Sequence, residues 1–157
     1  MNFNFGMDMN ITKPLLTKSE LLKLVGIPES TFNNWFIRGF IPLKELGCVK
    51  VSFTSYKYSH LTAAYCAALS YHSGRKRSKY IEVLKSVFGG IAKEGSFPEG
   101  LTIAISSMGK GQDCGAFENY GEALRYGGNM SLYVNVGKLI KGAAEHQKLF
   151  KQQCNQK

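Results

Sequence analysis

Near the N-terminus, hydrophobic and polar residues recur with the spacing of two short helices joined by a tight turn. Thr17 and Glu20 are spaced as in a capping box, and the mostly apolar residues 21–25 follow them. Gly26 can adopt the positive φ of a sharp corner, and Pro28 is tolerated at the start of a helix. The pattern therefore predicts a helix that begins after Thr17, a turn, and a second helix.

The second helix has two chemically different faces. Phe32, Trp35 and Phe36 lie at positions i, i+3 and i+4, so they share one face that we expect to be buried. The opposite face is polar and carries Ser30, Asn33, Asn34 and Arg38. A short polar helix, braced by aromatic residues and set across a glycine turn from another helix, is what a helix-turn-helix needs to enter the major groove of DNA.

The pattern then changes to a period of two. Val49, Val51 and Phe53 alternate with polar residues, which predicts a short strand or hairpin. Ser59 can cap a third helix, rich in Ala and Leu, over about residues 60–72. We expect these elements to form one unit with the first two helices.

In the second half of the chain the pattern predicts helix, strand, irregular segment, strand and helix. The helices cover about residues 79–93 and 137–152, and apolar runs at 101–106 and 132–136 predict buried strands. A short helix is expected at 117–125, within the glycine-rich stretch. Because two strands alone rarely make a stable sheet, we expect a third strand from this stretch, or pairing across a subunit interface.

Composition and charge limit the classes of function that this chain can have. The chain has 157 residues, of which 44% are hydrophobic, so it is long and apolar enough to bury a real core. Its formal net charge is +9. Residues 1–74 carry seven Lys/Arg against four Asp/Glu, and residues 75–157 carry thirteen against seven. An excess of basic over acidic residues favours a polyanionic partner. Here both halves of the chain have this excess.

The sequence also bears on where the protein acts. It has no apolar run of about 18 residues, which argues against a membrane partner. Residues 1–13 lack the charged start and apolar block of a signal peptide, and we expect them to form a flexible tail. The four cysteines are widely spread without a CxxC pair, which predicts reduced thiols and a cytoplasmic protein.

Patterns for catalysis and metal binding are weak. The Cys and His residues are too scattered for a zinc site, so we predict no metal and no cofactor. Residues 108–115 follow a strand, as phosphate-binding loops do, but match neither G-x-x-x-x-G-K-[ST] nor G-x-G-x-x-G. No spacing ties Glu118, Glu122 and His146 into a site. We therefore predict a protein without catalytic residues, not an enzyme.

The order of elements in residues 15–72 resembles the MerR-type winged helix-turn-helix. In that family the second helix ends in Gly, an apolar pair and Pro, a β wing follows, and a Tyr-Ser pair opens the next helix. Here GFIP (residues 39–42) and YS (residues 58–59) stand in that order. The resemblance implies an α+β fold: a winged helix-turn-helix DNA-binding domain at residues 14–73, followed by a small α/β domain at residues 78–153.

The resemblance also implies a function. It implies sequence-specific binding of double-stranded DNA, with helix 29–38 in the major groove and the wing on the backbone or in the minor groove. We expect a homodimer, formed through residues 78–153, which could instead contact a partner protein. The residues expected to contact DNA are Thr17, Ser30, Thr31, Asn33, Asn34, Arg38, Lys50, Tyr56 and Lys57. A transcriptional regulator of bacterial, phage or plasmid origin is the leading interpretation.

Departures from the family pattern leave other roles open. Asn33 and Asn34 stand where MerR regulators usually have an Arg and an aromatic residue, and Tyr56 stands where the wing often has an Arg. The sequence also predicts no long coiled-coil helix after the third helix. Excisionases and phage DNA-packaging small subunits share the winged module. A DNA-architectural or packaging factor is therefore the alternative, and a protein-interaction module without DNA binding is the third interpretation.

Overall fold

The computed structural model describes residues 4–6, 9–72, 77–106, 114–127 and 131–155, and within them the fold is mixed α and β. The α-helices are α1 (Lys18–Val25), α2 (Glu29–Ile37), α3 (His60–Leu69), α4 (Arg77–Glu94), α5 (Tyr120–Gly127) and α6 (Val136–Asn155). The strands are β1 (Asn4–Gly6), β2 (Val49–Ser52), β3 (Ser55–Lys57), β4 (Ser96–Pro98), β5 (Thr102–Ser106), β6 (Cys114–Phe117) and β7 (Ser131–Asn135). They pair antiparallel as β1–β4, β2–β3 and β6–β5–β7.

The first two helices form where the sequence predicts them. The Glu20 N–H donates to Thr17 Oγ1 at 3.2 Å, and the Thr17 N–H donates to Glu20 Oε1 at 2.9 Å. Gly26 ends α1 in the left-handed region at φ 79°, and its N–H donates to the Leu22 carbonyl at 2.8 Å. Pro28 precedes α2 as its N-cap residue. The capping box and the glycine corner are therefore confirmed.

A β-hairpin follows α2 and is tied back to the start of α1. In the hairpin, Lys50 of β2 lies opposite Tyr56 of β3. Just beyond β3, Tyr58 exchanges two backbone hydrogen bonds with Leu16, at 2.7 and 2.9 Å. Because Leu16 directly precedes the capping residue of α1, this bridge fixes the hairpin beside the N-terminus of that helix. The hairpin that the period of two predicts is confirmed.

Helix α3 lies at the centre of the molecule. Ser59 caps it by accepting the Thr62 N–H at 3.1 Å, and the Ser59 hydroxyl donates to the Leu46 carbonyl at 2.6 Å. Nine of the ten residues of α3 are buried, so the helix is covered on every side. It contacts α1, α4, α6 and a 3-10 helix at Met9–Thr12. One buried core therefore runs through both halves of the chain.

The second half contains the three-stranded sheet. The predicted strand at 101–106 forms the central strand β5, and the one at 132–136 forms β7 beside it. Strand β6 supplies the third strand expected from the glycine-rich stretch. Residues 108–113 of the loop considered for phosphate binding lie outside the described residues, as do residues 73–76 at the expected domain boundary. The division into two domains stays a prediction, and α3 packs against α4 and α6 across that boundary.

The N-terminal segment differs from the flexible tail expected over residues 1–13. Strand Asn4–Gly6 pairs with β4, and the 3-10 helix Met9–Thr12 contacts α3 and α6. Gly47 passes so close to this 3-10 helix that an added Cβ would lie 1.9 Å from one of its carbonyl oxygens. The physical reason is Ile11, which is buried in the core and gains the free energy of apolar burial by docking there.

The aromatic face of α2 packs largely as expected. Phe32 and Trp35 are 1% and 3% exposed, and Phe36 is half-buried. Ile37 lies on the opposite side of the helix and is 82% exposed. The predicted phase of the helix is therefore confirmed.

We predict that Trp35→Ala lowers the free energy of unfolding by about 3–5 kcal/mol, because truncating a large buried side chain leaves a cavity. Ile37→Ala, two residues away on the exposed face, is the matched control and should change it by less than about 0.5 kcal/mol. Urea denaturation followed by circular dichroism measures both variants. The emission of Trp35, the single Trp of the chain, should be blue-shifted, and a red, easily quenched spectrum would contradict its burial.

A histidine pair joins α3 to α6. His60 is fully buried, and its Nε2 lies 3.1 Å from Nδ1 of His146. The Nδ1 atom of His60 has no hydrogen-bond partner among the described residues. Burial is the main cause that lowers the pKa of His60 to about 4, with His146 and Lys151 acting in the same direction and Glu20 opposing them. The ring is therefore neutral at pH 7.

We expect this histidine to make the fold sensitive to acid. Its pKa is lower in the folded chain than the ordinary value of 6.5, so the unfolded chain binds more protons between pH 6.5 and about 4. The stability is fully present above pH 6.5 and falls as the pH is lowered toward 4, by about 2 kcal/mol between pH 7.5 and pH 5.

Urea denaturation at the two pH values measures this loss. His60→Gln should be less stable at both pH values, yet it should lack this part of the pH dependence because glutamine does not titrate. An equal pH dependence in the wild type and the variant would show that another group is responsible.

Candidate nucleic-acid interface

An open cleft of about 430 Å³ lies between the start of α1, helix α2 and the β2–β3 hairpin. We call it the α2–hairpin cleft. The residues predicted to contact DNA that line it are Thr17, Asn33, Lys50, Tyr56 and Lys57. Lys18, Val51 and Phe53 also line it, and the sequence pattern does not single them out as contacts. The fold thus brings five of the nine predicted contact residues to one concave surface.

Aromatic side chains form the floor of the α2–hairpin cleft. Phe32 and Tyr58 meet edge to face with ring centroids 5.5 Å apart, and Phe36 and Tyr56 do so at 5.4 Å. Tyr56 and Tyr58 stack at 6.1 Å. Burial raises the pKa of Tyr58 to about 12, so its hydroxyl stays neutral at physiological pH. These uncharged contacts set the angle between α2 and the hairpin. Much of the Tyr56 side chain takes part in this packing.

Lys18 connects the start of α1 to the polar side of α2. Its Nζ donates to Oδ1 of Asn33 at 2.5 Å and lies 3.6 Å from Oε1 of Glu29. It also lies 5.8 Å from the centroid of the Phe32 ring. Lys18 therefore offsets the carboxylate at the start of α2 and engages the amide oxygen of Asn33. The position of Lys18 directly after the Thr17 cap is a sequence signal that could have predicted its place at the cleft.

The hairpin forms a basic wall of the cleft. Lys50 and Tyr56 are cross-strand partners and share one face, which Tyr56 turns toward α2 by packing on Phe36. Lys57 lines the same wall. With Lys18 opposite, three lysines line the cleft, and no Asp or Glu of the described chain does. A concave surface with charge of one sign concentrates counter-ions and charged ligands.

The outer side of α2 presents a second exposed stripe. Ser30, Asn34 and Ile37 lie at i, i+4 and i+7, and all three are exposed. Thr31 is half-buried beside them. None of these four residues lines the cleft. The predicted contact residues of α2 therefore divide, with Asn33 on the cleft and Ser30, Thr31 and Asn34 outside it.

Arg38 ends α2 and is also outside the cleft. Its guanidinium carbon lies 5.8 Å from the centroid of the Phe40 ring. The turn that follows is held from two sides, because the Tyr65 hydroxyl donates to the Phe40 carbonyl at 2.5 Å and Lys85 Nζ donates to the Gly39 carbonyl at 2.8 Å. Helices α3 and α4 therefore fix the C-terminal end of α2.

The apolar side chains of the hairpin are exposed. Val49, Val51 and Phe53 are 47%, 56% and 91% exposed. Tyr56, rather than these side chains, supplies the ring that packs against Phe36 of α2. A large apolar residue within the polar turn Ser52–Ser55 was the signal that could have identified this tip.

Comparison with known protein families, with curated protein sequences and with solved structures finds no match to this chain. In the described part of the chain, no group of three or more Cys, His, Asp or Glu is placed to hold a metal ion. No helix in that part is long and apolar enough to cross a membrane. Cys48, Cys66 and Cys114 are free thiols, and burial raises the pKa of each. The α2–hairpin cleft, where five of the predicted contact residues meet, is the feature from which we argue a function.

Proposed function

We propose that this protein binds double-stranded DNA through the α2–hairpin cleft, with α2 in the major groove and the β2–β3 hairpin at the neighbouring minor groove. The observation that carries the proposal is the charge of the cleft, which three lysines line and, within the described residues, no carboxylate does. In this arrangement α1, α2 and the hairpin act as the winged helix-turn-helix that the sequence resembles.

The shape of duplex DNA fits this surface. The major groove is about 12 Å wide and admits an α-helix, whereas the minor groove is about 6 Å wide, and one phosphate backbone separates the two. Helix α2 and the hairpin stand on two sides of the cleft. The backbone would then lie in the cleft, where Lys18, Lys50 and Lys57 neutralise its phosphates. Such contacts position the protein and do not by themselves read sequence.

Asn34 is better placed than Asn33 to read bases. Asn34 is exposed on the outer stripe of α2, whereas the amide oxygen of Asn33 accepts a hydrogen bond from Lys18. An asparagine reads adenine with both amide atoms, one at N6 and one at N7, so an engaged oxygen competes with this contact. Ile37, three residues after Asn34, offers an apolar surface suited to a thymine methyl group.

The biological role that we favour is a transcriptional regulator that binds DNA as a homodimer. Among the described residues, β6 and β7 are the outer strands of their sheet. Tyr120, Leu124 and Leu132, on α5 and β7, are large apolar side chains that stay exposed. Open strand edges and exposed apolar side chains favour pairing with a second copy of the chain. Such a dimer would place two DNA-binding surfaces on two half-sites of the DNA. A ring or filament on DNA would favour an architectural or packaging factor instead.

We predict that affinity for DNA falls steeply with salt, because each neutralised phosphate releases counterions. About five phosphate contacts would give a log–log slope near −4 to −5. Fluorescence anisotropy of a labelled mixed-sequence duplex across a KCl series measures this slope. The proposal fails if the protein does not bind at low salt, or if its affinity does not depend on salt.

Substitutions should separate positioning from base reading. Lys50→Ala and Lys57→Ala should each weaken binding to all sequences alike, by roughly three- to tenfold, and reduce the salt slope by about 1. Asn34→Ala should relax the preferred sequence instead. Lys148→Ala is the matched control, because Lys148 is exposed on α6 and outside the cleft.

Selection from a random DNA pool, followed by competition between selected and random duplexes, measures both effects. Equal weakening by Lys148→Ala and Lys50→Ala would show that the cleft is not the binding surface. An unchanged preference in Asn34→Ala would show that α2 does not read bases through this side chain.

A further inference from the structure

The tip of the β2–β3 hairpin carries a feature that phosphate binding does not use. Phe53 is 91% exposed, more than any other large hydrophobic residue of the described chain. Val51 lines the same cleft as Phe53 and is 56% exposed, and Val49 is 47% exposed. Exposed apolar side chains that lie together at a hairpin tip are typical of a surface that contacts a partner.

The tip of the hairpin is short. Ser52 and Ser55 are cross-strand partners, and their hydroxyl oxygens lie 2.7 Å apart. Two residues, Phe53 and Thr54, connect them, and the strand register shifts between Lys50 and Ser52 just before this turn. The phenylalanine is therefore carried at the apex of a two-residue turn, and the short length of the turn limits the backbone entropy that is lost when the ring inserts into a groove.

Basic side chains lie directly behind this apolar tip. The Nζ atom of Lys50 is 5.4 Å from the centroid of the Phe53 ring, and both residues line the cleft together with Lys18 and Lys57. An apolar apex with ammonium groups behind it is complementary to a DNA groove, in which phosphates form the rim and stacked bases lie within. This charge complementarity favours nucleic acid over an apolar protein surface as the partner.

We propose that Phe53 is an apolar wedge that enters the minor groove and partly unstacks a base step, so that the protein bends the DNA it binds. The inference rests on the DNA binding proposed above. With α2 in the major groove, the tip lies at the neighbouring minor groove, and wedges of Phe, Leu, Ile or Met kink DNA there by about 20–90°. Flexible pyrimidine–purine steps such as TA are the easiest to open, and Val51 would cover part of the opened step.

Ring closure of short DNA tests the wedge. Mixed-sequence fragments of about 110–130 base pairs are shorter than the persistence length, so ligase closes them slowly unless a bound protein bends them. At saturating concentration the wild type should raise the yield of circles at least fivefold. Phe53→Ala should lose at least three quarters of this increase, and Phe53→Leu should keep most of it, because leucine is also a wedge residue.

Leu149→Ala is the matched control for this experiment. Leu149 is 59% exposed on α6 and outside the cleft, so the variant removes exposed apolar surface elsewhere and should behave as the wild type. Circular dichroism verifies that each variant is folded. A gel shift on the same fragments measures binding separately from bending, and Phe53→Ala should bind roughly tenfold more weakly.

The outcomes distinguish the wedge from DNA binding as such. If the wild type does not bind the fragments, the proposed function fails and the wedge fails with it. If the wild type and Phe53→Ala both bind and give the same yield of circles, the wedge is overturned while DNA binding stands. If Phe53→Ala leaves bending unchanged but converts an oligomer to a monomer in sedimentation, Phe53 contacts a second copy and the wedge is overturned.

Discussion

Burial of α3 on all sides is the constraint on which the rest of the structure depends. Apolar or small residues occupy nearly every side of this helix. Exposing any of its sides to water would therefore cost hydrophobic free energy. Helices α1, α4 and α6 and the N-terminal 3-10 helix together supply the cover. The α1–α2 segment therefore rests on elements from both ends of the chain, and α2 is fixed through α3 at its Phe40 turn.

Aromatic packing stabilises the shape of the cleft, as the burial of α3 stabilises the core. Phe32, Phe36, Tyr56 and Tyr58 fix α2 against the hairpin without using any charged group. The lysines of the cleft are thus not needed to hold it together, and an exposed pair such as Lys18 with Glu29 contributes little to stability. Three like charges on one concave surface, which uncharged contacts hold in shape, are the observation from which the functional proposal is argued.

In the proposed complex with DNA, three physical tasks fall on different parts of this surface. The cleft would offer charge to the phosphates, the outer stripe of α2 would offer polar and apolar groups to base edges, and the hairpin tip would offer an apolar side chain to a base step. Specificity could then come from contact and from deformability together, since an easily opened step costs less to distort. Such a combination suits a regulator and an architectural factor alike, and the oligomeric state on DNA separates the two.

Local signals in the sequence were enough for the helices and for strands β5 and β7, because a capping residue, a glycine corner or a run of apolar residues acts within a few positions. They did not predict β1 and β4, which pair across more than 80 positions of the chain. The motif also indicated residues that lie together in the fold, since five of the predicted contact residues line one cleft. Only the tertiary structure decided that Lys18 engages Asn33, fifteen positions away, and that Phe53 is left uncovered. It also decided that Ile11 docks into the core. These outcomes depend on which distant surfaces meet, and periodicity along the chain records which side of an element is apolar but not what will cover it.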